Sequence, residues 1–207
     1  IHNDGCNDSR HDGIHAFHVG KNANVTYAEK HYGEGSGTGE RILNPVTQIF
    51  LEEGAVFTLD TAQIGGVDST VRKTEVSMEA DAKLFVMEKL MTHDNQTAVS
   101  DMTVEMNGAG SSAQIVSRSV AKGHSVQTFH PIAIGNALCH AHVQCDSIIM
   151  DKAQISSIPE INARDIDAQI IHEAAIGRIN NEQILKLRTF GMTEEEAEAV
   201  IIEDFLA

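Results

Sequence analysis

Between residues 54 and 151 the chain turns at short, nearly even intervals. Taking one Gly, Asn or Asp per turn gives Gly54, Gly66, Asp81, Asn95, Gly110, Gly123, Gly135 and Asp151, separated by 12, 15, 14, 15, 13, 12 and 16 residues. The stretches between them read as strands. In "SDMTVEM" (100–106), Met102, Val104 and Met106 fall on one face and Asp101, Thr103 and Glu105 on the other, the alternation of a half-buried strand. The same pattern recurs around Phe57 and Leu59, Val76 and Met78, and Leu84 and Val86. Short strands at this spacing, with no long helix between them up to about residue 158, suit either a β-sandwich or a solenoid of stacked rungs. Aromatic residues make up 4% of the chain and Trp is absent, which removes the usual anchors of a sandwich core. Small and β-branched residues stack well in rungs, so the pattern favours a mainly β protein built as a β-helix.

At 207 residues the chain can bury one sizeable core with at most a small appendage. Lys and Arg number 15 against 30 Asp and Glu, a formal charge of -15. That charge repels phosphate backbones and anionic membranes, so the expected partners are basic proteins or cations, with no nucleic acid and no membrane. Three cysteines, Cys6, Cys139 and Cys145, make an odd number in a chain long enough to fold without staples, which points to a reducing, cytoplasmic setting. No apolar run is long enough to span a bilayer, and the opening Ile1-His2-Asn3-Asp4-Gly5 has the character of neither a leader nor a chain start, so further upstream sequence is expected.

After Pro159 the pattern changes. "NNEQILKLRTFG" reads as a helix capped by Asn180 or Asn181 and stopped by Gly191. "TEEEAEAVIIEDFL" opens with Thr193 as N-cap and Glu196 three residues on, a capping box, followed by Ala197, Val200, Ile201 and Phe205 at helical spacing. The expected organisation is a β-helix core over 1–158 and a C-terminal segment, 159–207, of short strands followed by a helical hairpin.

The segment "PEINARDIDAQIIHEAAIGRINNEQILKLRTFGMTEEEAEAVIIEDFL" (159–206) resembles the C-terminal signature of the SufB/SufD family of iron-sulfur cluster assembly scaffolds. "VQCDSIIM" (143–150) resembles the family's Cys-Asp-Ser strand, and "NPVTQIFLEEGA" its region leading into the β-helix. The resemblance implies a right-handed parallel β-helix with a C-terminal α-helical hairpin, a minimal single-paralogue member acting as a homodimer through the β-helix. It also implies a transient iron-sulfur cluster, a SufC-like ABC ATPase as partner, a sulfur donor, and apo acceptor proteins that take the cluster. The chain carries no GxxxxGK[ST] loop, so it is not expected to be an enzyme, and ATP hydrolysis is assigned to the partner. Docking of that ATPase falls on the C-terminal helical region, with Arg178, Asn181, Gln183, Leu187, Arg188, Phe190 and Met192 as the candidate contacts.

The resemblance bears on individual ligands. His172 matches the histidine before the small-residue turn, and Glu173 matches the SufB-type glutamate after it. A SufB-type cysteine is replaced near Ala153, and the "Glu-Gly-Cys" motif aligns with Glu29-Lys30-His31, which puts His31 where a thiol would sit. Cluster ligation by mixed Cys, His and carboxylate donors suits a protein that must release what it builds.

Read from the residues alone, "CHAHVQC" (139–145) splits by strand geometry. Cys139, Ala141, Val143 and Cys145 share one face, and His140, His142 and Gln144 the other. The first face reads equally as core packing and the second as surface imidazoles. Cys139 and Cys145 lie about 20 Å apart along a straight strand and cannot share one cluster unless the chain bends. The metal candidates are Cys145, His172, Glu173, Cys139, His140, His142 and His31, with Cys145 preferred over Cys139 for its context, and with His172 and Glu173 on opposite faces of a strand. A denser N-terminal set, His2, Cys6, His11, His15, His18 and His31, matches no standard zinc module, although His11 and His15 would share a helix face. Two other classes stay open: a structural adaptor for the ATPase with no cluster, and a β-helix enzyme acting on carbohydrate or acyl groups.

Overall fold

The computed structural model describes residues 2–3, 9–33 and 40–207, with side chains from 9–31 and 40–207. Its strands are β1 (His2–Asn3), β2 (Ser9–His11), β3 (Ile14–Val19), β4 (Asn24–Gly33), β5 (Arg41–Leu43), β6 (Val46–Leu51), β7 (Val56–Ile64), β8 (Ser69–Met78), β9 (Lys83–Thr92), β10 (Thr97–Met106), β11 (Ser111–Ala121), β12 (Val126–Gly135), β13 (Cys139–Ile149), β14 (Gln154–Ser157), β15 (Glu160–Ala163) and β16 (Gln169–Gly177). They alternate between two sheets. The first runs β1-β4-β7-β9-β11-β13-β16. The second stacks β2 and β3, β5 and β6, β8, β10, β12, and finally β14 and β15.

Each pairing between them is parallel, and the register advances by one coil: Glu88 pairs Ser117, which pairs Cys145. The fold is a parallel β-helix of about six turns. The turn spacing seen in the sequence is therefore half a coil, because every coil contributes one strand to each sheet. Among the described residues, no helix is long and apolar enough to cross a membrane.

The turns explain the punctuation. Gly54, Gly66, Asp81, Gly110, Gly123 and Asp151 all have positive φ, the left-handed conformation tolerated by Gly and, among other residues, best by Asn and Asp. Two expected positions differ. The left-handed residue is Asp94 (φ 52°) rather than Asn95, and Gly135 closes β12 instead of turning. Gly135 is there for close packing, since a Cβ at that point would lie 2.7 Å from Ala168 Cβ and 2.9 Å from Cys139 Sγ.

Inside the coils, alternate residues pack in rows. Phe57, Leu84, Ala113 and Ala141 form one row and Leu59, Val86, Ile115 and Val143 the next, within a single buried cluster. Among the described residues, aromatic packing is confined to the first coils, where the Phe17 ring lies 4.8 Å from Tyr27 and 5.2 Å from Phe57. Further along the same strands the rows become polar: Thr61, Glu88, Ser117 and Cys145, then Gln63, Leu90, Ser119 and Ser147.

The two helices follow. α1 spans Asn181–Thr189 with Asn180 as its N-cap, its side chain accepting from the Glu182 amide, and α2 spans Glu194–Leu206. The Thr193 and Glu196 capping box forms in both directions, at 2.8 and 3.2 Å. The buried residues of α2 are Ala197, Ile202 and Leu206; Ile202 and Leu206 pack against Val120 and Met150, while Val200 is exposed. Of the stripe read from sequence, Ala197 is buried and Phe205 packs at the cluster's edge, while Ile202 and Leu206 replace Val200 as the main contacts because α2 meets β11 as well as α1. Basic groups tie it down: Lys89 Nζ donates to Ala207 O at 2.6 Å, Arg118 to Phe205 O at 3.2 Å, and Lys122 pairs with Glu198 at 3.1 Å. α1 buries no residue.

Candidate metal centre

The parallel pairing of β13 with β16 sets Val143 beside His172, Gln144 beside Glu173 and Cys145 beside Ala174. Side chains alternate across each strand, so the candidates divide between the two faces of the sheet. Inside, Cys145 Sγ lies 3.3 Å from His172 Nε2. Outside, His142 Nε2 lies 3.3 Å from Glu173 Oε2, with the His142 side chain 37% exposed and Glu173 66%. His172 and Glu173 do point to opposite sides.

The remaining candidates stand apart. Cys139, at the start of β13, is buried near Gly135, and His140 sits on the outer face with Nδ1 3.2 Å from the Cys139 carbonyl. His31 is buried in the early coil β4 and bonded to the buried Glu29. Burial raises the Glu29 carboxyl, but His31 and Arg72 outweigh it and hold the group below its usual range.

Among the described residues, the N-terminal histidines form no cluster. His11 and His15 lie on strands β2 and β3, not on a helix face; His15 Nδ1 is 2.9 Å from Tyr27 Oη, and His18 pairs with Glu52 at 2.8 Å. The helical premise fails because this segment already belongs to the coils of the solenoid. The His2 side chain and Cys6 lie outside the described residues. Among the described residues, no three His, Cys, Asp or Glu side chains stand close enough to hold a metal ion. One chain supplies pairs.

Among the described residues, the free thiols Cys139 and Cys145 are buried and raised. Burial pushes the Cys145 thiol up, the Ser157 hydroxyl pulls it down, and the charges of Glu88 and Asp146 push it further up. Burial also raises Cys139, helped by Asp165. A raised thiol holds its proton more firmly than a free one and is the weaker nucleophile for it. Thiol and imidazole on one wall, with imidazole and carboxylate behind it, fit iron as a donor set.

Sequence reading missed Glu88, Ser100 and Ser117, which lie buried beside Cys145. Ser100 Oγ donates to Glu88 Oε2 at 2.9 Å and Ser117 Oγ to Glu88 Oε1 at 3.4 Å. The only signal was polar residues on the buried side of an alternating strand, and it acquires meaning once the rows are in register.

The hairpin candidates are mostly outward-facing. Arg178 donates to Asp151 O at 3.3 Å and Arg188 pairs with Glu194 at 3.3 Å. Asn181 and Gln183 are exposed on α1, Leu187 and Met192 are half-buried, and Phe190 is 74% exposed.

The fold and donors define a β-helix protein whose last coils gather thiol, imidazole and carboxylate groups. The core-domain model of the SufBD proteins of the SUF iron-sulfur cluster assembly system matches residues 9–130 and again 70–205, an overlap that a repeating coil permits. The chain belongs to the SufBD family, which takes part in iron-sulfur cluster assembly. It is 29% identical to an iron-sulfur cluster assembly SufBD family protein of Methanocaldococcus jannaschii over 91% of this chain and 60% of the relative. It is 30% identical to one of Pyrococcus horikoshii over 96% and 60%, and 28% identical to one of Archaeoglobus fulgidus over 95% and 52%. The chain thus spans between half and two thirds of the length of these relatives.

Proposed function

We propose that this chain is a scaffold subunit that holds a nascent iron-sulfur cluster as cargo, with Cys145 and His172 as its inner ligands. The observation that carries the reading is the 3.3 Å approach of Cys145 Sγ to His172 Nε2 across β13 and β16, two positions that the family resemblance picks out separately. Glu173 and His142 supply a carboxylate and an imidazole on the outer face. A cluster needs more ligands than one pair, and a homodimer supplies them.

β16 ends the first sheet and Glu173 is the middle residue of its Gln169–Gly177 span. A two-fold pairing of two such edges brings both copies' ligand sets to one axis, and it covers the exposed Ile171 and Ile176. A SufC-like ABC ATPase docks on α1, which buries nothing against the β-helix and presents Leu185 and Phe190. Arg178, Asn181, Gln183, Leu187, Arg188 and Met192 complete that surface.

Anaerobic reconstitution with iron and sulfide, with and without the ATPase, tests this reading. The expected result is a cluster by absorption and by iron and sulfide analysis, lost in Cys145→Ser and in His172→Ala, on a protein that is dimeric by light scattering. Substoichiometric iron in every preparation would leave only an adaptor that couples the ATPase to another assembly.

A further inference from the structure

On the outer face of the second sheet, β3, β6, β8 and β10 border an open groove of about 510 Å3 whose lining is mainly apolar. One row of the register crosses it: His18, Phe50, Ser77 and Glu105 stand side by side on successive strands. Phe50 is 37% exposed, and the His18 imidazole meets its ring edge to face with centroids 5.0 Å apart. On the other flank of the ring the small Ser77 leaves a notch, with Glu105 beyond it. Neighbouring strands lie about 4.8 Å apart, so Phe50 and Glu105 are about 10 Å from each other at the backbone, which leaves room for one flat group between ring and carboxylate.

The charge around this notch is negative, and the basic groups that border it are already engaged. Glu75, in the adjacent row, pairs with Lys73 at 2.6 Å and accepts from the Gln48 amide at 3.0 Å. His18 is held by Glu52 at 2.8 Å, and His130 lies between Asp101 and Glu160 at 3.5 and 2.9 Å. Glu105 is exposed and has no hydrogen bond or ion pair among the described residues. An apolar groove edged by a carboxylate with no partner suits an occupant that joins apolar surface to positive charge. The chain's formal charge of -15 repels a second copy, a nucleic acid and an anionic membrane alike, which leaves a basic protein.

We propose that this notch receives an arginine side chain from a basic protein partner, its guanidinium lying between the Phe50 ring and the Glu105 carboxylate. A guanidinium is flat, weakly hydrated and able to stack on an aromatic face while its edge meets a carboxylate; a lysine ammonium is a strongly hydrated point charge and fills a flat slot poorly. Beside the groove β3 presents the exposed Ile14 and Ala16, on which apolar neighbours of that arginine come to rest. This surface belongs to the second sheet and β16 to the first, so the proposal rests neither on the homodimer nor on cluster binding.

Amide NMR spectra of the chain test it, recorded with Nα-acetylarginine amide, with its uncharged isostere Nα-acetylcitrulline amide, and with a capped Leu-Arg-Val tripeptide. The arginine amide shifts the resonances of Phe50, Ser77 and Glu105, and the citrulline amide does not. The tripeptide binds about ten-fold more tightly than the arginine amide, through the apolar surface that its flanking side chains cover. Phe50→Ala and Glu105→Gln, both at the surface, each weaken the tripeptide about two- to five-fold. Shifts spread evenly over the acidic surface, equal binding of the citrulline amide, or unchanged affinity in both variants overturns the proposal. So does a tripeptide that binds no more tightly than the arginine amide, which would assign the notch to a free guanidinium compound. Neither iron nor ATPase enters the experiment, so its failure leaves the scaffold reading untouched.

Discussion

Along each strand of the first sheet the interior changes character within a few residues. Leu84 and Val86 on β9 are followed by Glu88, Ala113 and Ile115 on β11 by Ser117, and Ala141 and Val143 on β13 by Cys145. The apolar half is mostly aliphatic, with Thr47 and Thr74 buried beside Met102, so its rows stabilise the fold chiefly through area removed from water, about 1.5–3 kcal/mol for each large side chain. The polar half gains less per residue. Its hydroxyls and amides replace bonds to water with bonds to one another, each worth about 1 kcal/mol net. A solenoid with one apolar half can carry a polar half beside it, and Cys145 and Glu88 sit in that polar half while Cys139 lies at the apolar end of β13.

That contrast can be broken by substitution, and the largest effect belongs to the apolar half. Leu84→Ala, at a fully buried position, is expected to cost about 2–5 kcal/mol by urea unfolding. A loss under about 1 kcal/mol would mean that the rows are loosely packed. Gly108→Ala acts between coils: its Cβ would lie 1.9 Å from the Ala80 nitrogen of the preceding coil, so a loss of about 1–3 kcal/mol is expected. Proteolysis should then begin near that turn.

Ser117→Ala in the polar half removes one of the two hydroxyls on Glu88 and should cost only about 0.5–1.5 kcal/mol. If it matched Leu84→Ala, the two halves would not differ as argued.

The smallest effect lies outside the interior. The Asp68 carboxyl is held below its usual range, chiefly by its hydrogen bond with Arg41. A lowered folded-state value stabilises the protein above the carboxyl's unfolded value, and that contribution disappears as pH falls through the folded value. Arg41→Gln should therefore remove about 1 kcal/mol or less near neutral pH and nothing once the carboxyl is protonated in both states. An equal loss at low pH would assign the effect to packing.

The β-helix was legible because its turns use residues that take positive φ, and those are visible in any sequence. Gly54, Gly110 and Asp151 mark the coils whatever lies between them. The hairpin was legible for a similar reason, since caps such as Asn180 and Thr193 act within three residues of themselves. The stripe on α2 was not. Whether Val200 or Ile202 is buried depends on what the helix lands on, and Val120 and Met150 come from distant coils. The split of "CHAHVQC" into two faces followed from local geometry, whereas the partner on each face did not.

By itself the sequence determined the period of the coil, the alternation of its strands and the helix caps, because each depends on backbone preferences over a few neighbouring residues. The tertiary structure alone decided that Cys145 meets His172 and that Glu88 is buried with Ser100, Ser117 and Gln127. Those contacts join residues from half a coil to a full coil or more apart in sequence. Which rows face one another depends on the register between coils, set by all the packed layers together and by no single stretch of the chain.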